Sequence, residues 1–358
     1  MRPLDTSRDQ LLPLSTDLDL RRRLMVVNES LPGNMRFGLV LEVLDKLAEE
    51  LALSYVRRTA PQAWVVTAAI DDVVLRTAAD VTRDLALHAR LNWVGRSSME
   101  VGIRAEHPAV GDAPAVHAAS CYFTMVARVG AGEAARSIAV EPLEYASEIE
   151  KRRRDKAIKG RENQRQRLDT ASKPPTREEF ELLARLHAAQ EQPGFGENGG
   201  RLAGKLTSMS WERMYPEQEN VPSKIFGGYL VRRAYELATI QAEEIAPNRP
   251  VIVRVNRINF LQPVRIGDKL RFVSRIVHSG RTSLCVEVAI ERISRDRGTK
   301  ALSNTCVFTF VNVDEGMVPQ PVPPVYPTTY AEDARYLEAH RRHARAKARR
   351  QLEPHPEA

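Results

Sequence analysis

Apolar residues recur at helical spacing in two places along this chain. In the first, Leu41, Leu44, Ala48 and Leu51 follow Phe37 and form a single stripe, as an amphipathic helix does. In the second, Leu230, Ala234, Leu237 and Gln241 keep that spacing after the Gly227-Gly228 pair, three of the four being apolar. Downstream of each helix the pattern changes to strand-like runs, Leu85 to Val94 and Leu270 to Ser279. Each run meets a Gly-Arg turn and is followed by another strand rich in β-branched and aromatic residues. Each half therefore reads as a strand, one long helix and about four antiparallel strands. So apolar a helix predicts a curved sheet wrapped around it.

The two halves are copies. Gly95-Arg96-Ser97-Ser98-Met99-Glu100-Val101 returns as Gly280-Arg281-Thr282-Ser283-Leu284-Cys285-Val286, and Cys121-Tyr122-Phe123-Thr124-Met125-Val126 returns as Cys306-Val307-Phe308-Thr309-Phe310-Val311. From 95 to 280 and from 121 to 306 the shift is the same 185 residues, which marks an internal repeat. The helices align from 47 to 237, an offset of 190, so a short insertion separates helix from strands. The reading divides the chain into an N-terminal extension (1–19), a first unit (20–141), a charged helical linker (142–200), a second unit (201–315) and a Pro-rich, basic tail (316–358) ending in an exposed helix.

Charge changes this picture little. The net charge is +7, but Lys151 to Arg167 holds nine Lys or Arg against Asp155 and Glu162, and His340 to Arg350 holds six more with no acid. The rest of the chain is net acidic. Such runs read as solvated faces rather than a nucleic-acid surface. No apolar run is long enough to span a membrane. The acids Asp5, Asp9, Asp17 and Asp19 argue against a secretory or transit segment. Three cysteines form no disulfide framework, and Cys121 and Cys306 occupy equivalent strand positions as small buried apolar residues. The expected location is the cytoplasm, with the mitochondrial matrix as alternative.

Met35-Arg36-Phe37-Gly38 with Leu41-Glu42 and Leu44-Asp45, the Trp93 to Val101 run, Asn220, Ile225-Phe226-Gly227-Gly228-Tyr229-Leu230 and Ala234-Tyr235-Glu236-Leu237-Ala238 together resemble the mitochondrial-type acyl-CoA thioesterases, over roughly residues 20–315. The resemblance implies an α+β fold of two tandem hotdog domains, each an antiparallel sheet around a long central helix. It implies hydrolysis of acyl-CoA by a carboxylate-activated water, no metal or other cofactor, and a homo-oligomer, either a trimer of double hotdogs or a dimer. The family's acid falls seven residues after the second glycine position of the helix motif. Carried over, that position is Asp45 after Gly38 but Tyr235 after Gly228, with Glu236 one residue off. The family's Asn before the partner helix is Asn220, while Asn28 and Asn34 stand at other spacings in the first half. The expected site therefore joins Asp45 to Asn220, with Phe226, Gly227, Gly228 and Gly38 around the thioester and Arg96 and Arg281 for the CoA phosphates.

The residues themselves leave other readings open. Asp45 shares a helix face with Glu42, Lys46 and Glu49, the spacing of a solvated stripe. The glycines could serve helix packing alone, Asn220 could be a loop residue, and the two arginines could be turn residues paired to carboxylates. Absence of a Gly-x-Ser-x-Gly elbow argues against a serine hydrolase. A non-catalytic acyl-CoA-binding protein is the alternative function. A hydratase would need a His with an acid, and His88 and His107 lie outside the helix motif. His340 and His343 share a helix face but lack further metal ligands.

Overall fold

The structure is a computed structural model of the whole chain. It describes all residues except 30, 72, 79, 131–133, 172–173, 198, 222–223, 257 and 353–358, and leaves aside the side chains of 163–171, 219–221, 224 and 349–352. The first half contains β1 (Arg8–Leu12), α1 (Leu18–Leu24), α2 (Phe37–Arg57), β2 (Trp64–Ile70), β3 (Val73–Leu75), β4 (Leu85–Val94), β5 (Ser98–His107) and β6 (Val116–Val129). Helices α3 (Glu148–Ala171) and α4 (Arg177–Gln190) follow. The second half contains β7 (Thr207–Arg213), α5 (Gly227–Glu243), β8 (Arg249–Val255), β9 (Ile258–Asn259), β10 (Lys269–Ser279), β11 (Ser283–Ile293) and β12 (Lys300–Val313), and α6 (Tyr330–Leu352) closes the chain.

All of these strands lie in one 13-stranded antiparallel sheet in the order β1-β4-β5-β6-β3-β8-β12-β11-β10-β7, with β2 bridging β6 and β9 and a thirteenth, two-residue strand, Arg136–Ser137, paired to β6. The halves join in the middle of it. Ile258 pairs with Ile70 and Val255 pairs with Val73; moving the first-half residue forward and the second-half residue back by 185 turns either pair into the other. The bulges obey the shift as well: β2 bulges between Thr67 and Ala69, β8 between Ile252 and Arg254. The sequence places residues 1–19 outside the first unit, but β1 pairs with β4 from Arg8↔Ala89 to Leu12↔Leu85. The first hotdog therefore reaches back to residue 8.

Helices α2 and α5 lie on one side of this sheet and pack on each other. A Cβ on Gly38 would stand 3.2 Å from the Cα of Arg232, and one on Gly228 would stand 3.1 Å from the Cα of Glu42. Gly38 and Gly228 are equivalent positions, as are Glu42 and Arg232, so the helices run antiparallel across a pseudo-twofold axis. Glu42 and Arg232 form an ion pair at 3.2 Å. Below them, Leu41, Leu44, Leu47, Leu51, Phe123, Phe272, Phe308 and Phe310 are fully buried. Each such side chain contributes about 1.5–3 kcal/mol of transfer free energy.

The far side of each half-sheet carries a helix. Helix α3 packs on β4 and α6 on β10, with Ala157 and Ala339 buried against them. Their starts match. The Glu150 amide donates to Ser147 Oγ at 3.2 Å, and Glu150 Oε2 accepts from the Ala146 amide at 2.9 Å. The Glu332 amide donates to Thr329 Oγ1 at 3.3 Å, and Glu332 Oε2 accepts from the Thr328 amide at 2.7 Å. Both are Ser/Thr-x-x-Glu starts. The duplicated unit is thus a hotdog plus its covering helix, and α6 is not the fully exposed helix its sequence suggests: Tyr336, Leu337 and Ala339 are buried.

Candidate active site

Asp45 projects from the middle of α2 and is completely buried. The stripe it shares with Glu42, Lys46 and Glu49 is not a solvated one, because Glu49 is buried too and only Lys46 is exposed. Burial raises the Asp45 carboxyl to about 7. A hydrogen bond from Thr67 opposes that rise, nearby Glu49 and Glu42 add to it, and the Gly228 amide lowers it again. Thr67 Oγ1 donates to Asp45 Oδ1 at 2.6 Å. Oδ2 has no well-formed hydrogen bond and points to the start of α5, where a Cβ on Gly227 or Gly228 would lie 3.4 or 3.1 Å from it. The first half's acid and the second half's glycines are therefore brought together. The glycines do two jobs, since Gly228 allows the helices to cross and also leaves room for the carboxylate.

The start of α5 has no side-chain cap, its N-cap being Phe226, so the Gly228 amide and the positive end of the helix dipole face the Asp45 carboxylate. The Phe226 ring would press within 2.8 Å of a Gly228 Cβ, and the Phe260 ring within 3.0 Å of one on Gly227. Phe260 follows β9, which pairs with β2 beside Thr67. Two aromatic rings thus enclose the carboxylate. A cleft of ≈ 460 Å³ opens on the other side of Phe226, between α1, the first turns of α2 and the start of α5.

Asn220 belongs to a short strand, Glu219–Val221, that pairs with Lys224–Ile225 just before α5, but its side chain lies outside the described residues. Asn34 is taken up by the loop before α2: its Oδ1 accepts from the amides of Val26 and Val27 at 3.0 Å, and its Nδ2 donates to the Val27 carbonyl at 2.7 Å. Arg96 and Arg281 are exposed on their turns. Neither borders the cleft. Glu236 is held by Arg36 and Arg233, each at 2.7 Å.

The mirror position is filled. Tyr235 packs edge-on against Phe37 and Phe308 with ring centroids 6.3 and 5.7 Å apart, and its ring would lie 3.0 Å from a Cβ on Gly38. Burial pushes its hydroxyl up to about 12. Thr67 is the residue that reading the sequence missed. The repeat contains the signal, because the position equivalent to Thr67 is Ile252, just as that equivalent to Asp45 is Tyr235. Acid and hydroxyl have both been kept in one half and both lost from the other.

Among the described residues, no group of three or more His, Cys, Asp or Glu is arranged to hold a metal ion. The three cysteines are free and buried. His88 pairs with Asp9 at 2.8 Å beside β1, and His107 meets the Asp84 carbonyl at 2.9 Å.

Two joined hotdog units with one buried carboxylate at the partner helix are the setting of a thioesterase. Residues 223–299 match the family model of the thioesterase superfamily. An uncharacterized acyl-CoA thioester hydrolase of Zymomonas mobilis is 37% identical over 120 residues, which cover 33% of this chain and 79% of that protein. The chain belongs to the thioesterase superfamily, among the acyl-CoA thioester hydrolases. Over nearly its whole length it is similar to acyl-coenzyme A thioesterase 9, mitochondrial, of Homo sapiens, with 29% identity covering 95% of this chain and 77% of that one. A solved acyl-CoA hydrolase of Staphylococcus aureus, in complex with butyryl coenzyme A, coenzyme A and coenzyme A disulfide, matches 43% of this chain and 93% of its own at 29% identity, with a TM-score of 0.40.

Proposed function

We propose that this chain hydrolyses acyl-CoA thioesters to free acid and CoA at one site, built from Asp45 and Thr67 of the first half and the start of α5 in the second. The observation that carries this is the Asp45 carboxylate, buried, held on one oxygen by Thr67 and turned with its other oxygen toward the uncapped start of α5. As the ionised base, Asp45 takes a proton from a water that attacks the thioester carbon. The amides at Gly227 and Gly228 hold the oxyanion that forms. The C–S bond then breaks, and the proton on Asp45 returns to the departing CoA sulfur. Asn220 orients the water or the thioester. Phe226 turns aside to admit substrate from the cleft, and Arg96 and Arg281 meet the CoA phosphates. The free cysteines suit a reducing compartment, either cytoplasm or mitochondrial matrix. No helix among the described residues is long and apolar enough to cross a membrane. Assembly into a trimer or dimer belongs to the same proposal and is read by light scattering.

The test is release of free thiol from acyl-CoA, followed against pH. Activity is expected to rise through a limb near pH 7, where the raised Asp45 carboxyl ionises. Binding of acyl-CoA without thiol release would instead make the protein a carrier or sensor. Thr67→Val removes a donor that lowers the Asp45 pKa. The acid limb should then move to higher pH, and kcat/KM at pH 7 should fall by about tenfold or more. A variant that loses activity with an unmoved limb would assign Thr67 a purely structural part.

A further inference from the structure

We propose that the cleft along the first turns of α2 holds the acyl chain, and that its closed end at Leu12 and Leu24 sets the preferred length at about eight carbons. This rests on the hydrolase reading above and adds what that reading lacks, the class of acyl group.

The cleft is apolar at its floor and charged at its rim. Leu12, Leu24, Leu39 and Val43 line it between β1, α1 and α2, and Phe226 closes the side toward Asp45. Leu12, Leu24 and Leu39 are buried, so the floor presents hydrocarbon. The charged members are of both signs, Arg23, Glu42, Lys46, Glu49, Glu217 and Arg232, with Glu42 paired to Arg232. On α2 the lining residues fall at 39, 42, 43, 46 and 49, one continuous helical face. Asp45 belongs to the neighbouring stripe, one turn from both Glu42 and Glu49. An acyl carbon held at the carboxylate thus has its chain directed along α2 toward Leu39.

The length follows from geometry. Leu39 precedes Asp45 by six residues, and at 1.5 Å per residue that is roughly 9 Å along the helix. An extended chain advances about 3.5 Å per three bonds. Seven or eight bonds span the distance. Beyond Leu39 the way is shut, because the Leu24 carbonyl accepts the Arg36 amide at 2.7 Å and ties the end of α1 to the start of α2. Helix α1 is itself fixed by its cap, Asp17, which accepts the Leu20 amide at 2.9 Å. Each methylene that reaches the floor should raise kcat/KM about fourfold, the equivalent of about 0.8 kcal/mol, and methylenes that meet the wall should lower it.

The experiment measures thiol release from acyl-CoAs of two to sixteen carbons, each kcat/KM divided by that for acetyl-CoA. The wild-type ratio should climb to about eight carbons and then fall. Leu24→Ala removes the end wall, and its maximum should move to longer chains by about two carbons. As Leu24 is buried, its loss could unfold the protein, so Leu20→Trp is the second variant. Leu20 lines the same cleft but is only half-buried, and the larger ring should move the maximum to shorter chains. Opposite shifts in the two variants support the assignment. A folded Leu20→Trp protein with the wild-type profile overturns it. So does an equal rise in KM at every length, which would place the pantetheine arm in the cleft instead. A wild type that turns over no acyl-CoA removes the hydrolase reading itself, a result distinct from turnover with unmoved chain preference.

Discussion

Asp45→Asn is expected to lower kcat/KM for acyl-CoA by about a hundredfold or more, the usual worth of a general base, while making the folded protein more stable at alkaline pH. The two effects have one cause. The folded carboxyl titrates near 7 and the unfolded one near 4, so between those values the folded chain binds the extra proton. Stability then falls as pH rises through that window, by up to roughly 4 kcal/mol for a shift of about three units. Asparagine keeps the shape, still accepts from Thr67 and never ionises. Melting temperatures of the two proteins should converge below pH 4 and separate above pH 7 with the variant higher. Equal activity would make Asp45 a structural acid, and equal melting at all pH values would contradict its burial as a charge.

Gly228→Ala should lower both stability and turnover. The added Cβ meets a backbone carbon, the Glu42 Cα, at 3.1 Å, the Asp45 Oδ2 at 3.1 Å and the Phe226 ring at 2.8 Å. The ring can move, but the crossing helix cannot without parting from α5. Overpacking of this kind costs about 1–3 kcal/mol. Displacing α5 also shifts the amides that serve the oxyanion, and loss of one such donor costs a hundredfold or more in kcat. The expected result is a folded protein with a lowered melting temperature and at most about a hundredth of the wild-type kcat. Gly38→Ala makes the matched comparison. Its Cβ meets Arg232 and Tyr235 in the filled mirror position, so it should cost stability without a comparable loss in kcat.

Much of this arrangement was legible in the chain because the duplication is. Two apolar stripes and two turn motifs at fixed offsets gave the paired helices, and counting from Gly38 and Gly228 gave one acid and one aromatic residue. Thr67 was not legible alone, being one hydroxyl in an alternating strand whose importance comes from register: only the β2–β6 pairing with its bulge aims it at α2. The burial of Asp45 was hidden for a similar reason. Its neighbours Glu42, Lys46 and Glu49 look like a wet stripe until α5 is laid across them. Residues 8–12 and the helices α3 and α6 carry little apolar signal in the sequence. Their places depend on a ladder of backbone hydrogen bonds and on single alanines set against the sheet.

The ion pair at the helix crossing says something about ancestry. On a true twofold a residue at the axis faces its own copy, and the Glu42 and Arg232 positions meet there, so two first halves docked this way would set Glu42 against Glu42, and two second halves Arg232 against Arg232. Like charges at about 4 Å repel by about 4 kcal/mol at a protein surface. Here the two positions have taken opposite signs, and each half has become a lock cut for the other and for no copy of itself. A gene split between the halves should therefore still yield a one-to-one pair, while either half expressed alone should be a poor partner to itself. The linker no longer has to choose the partner; the surfaces do.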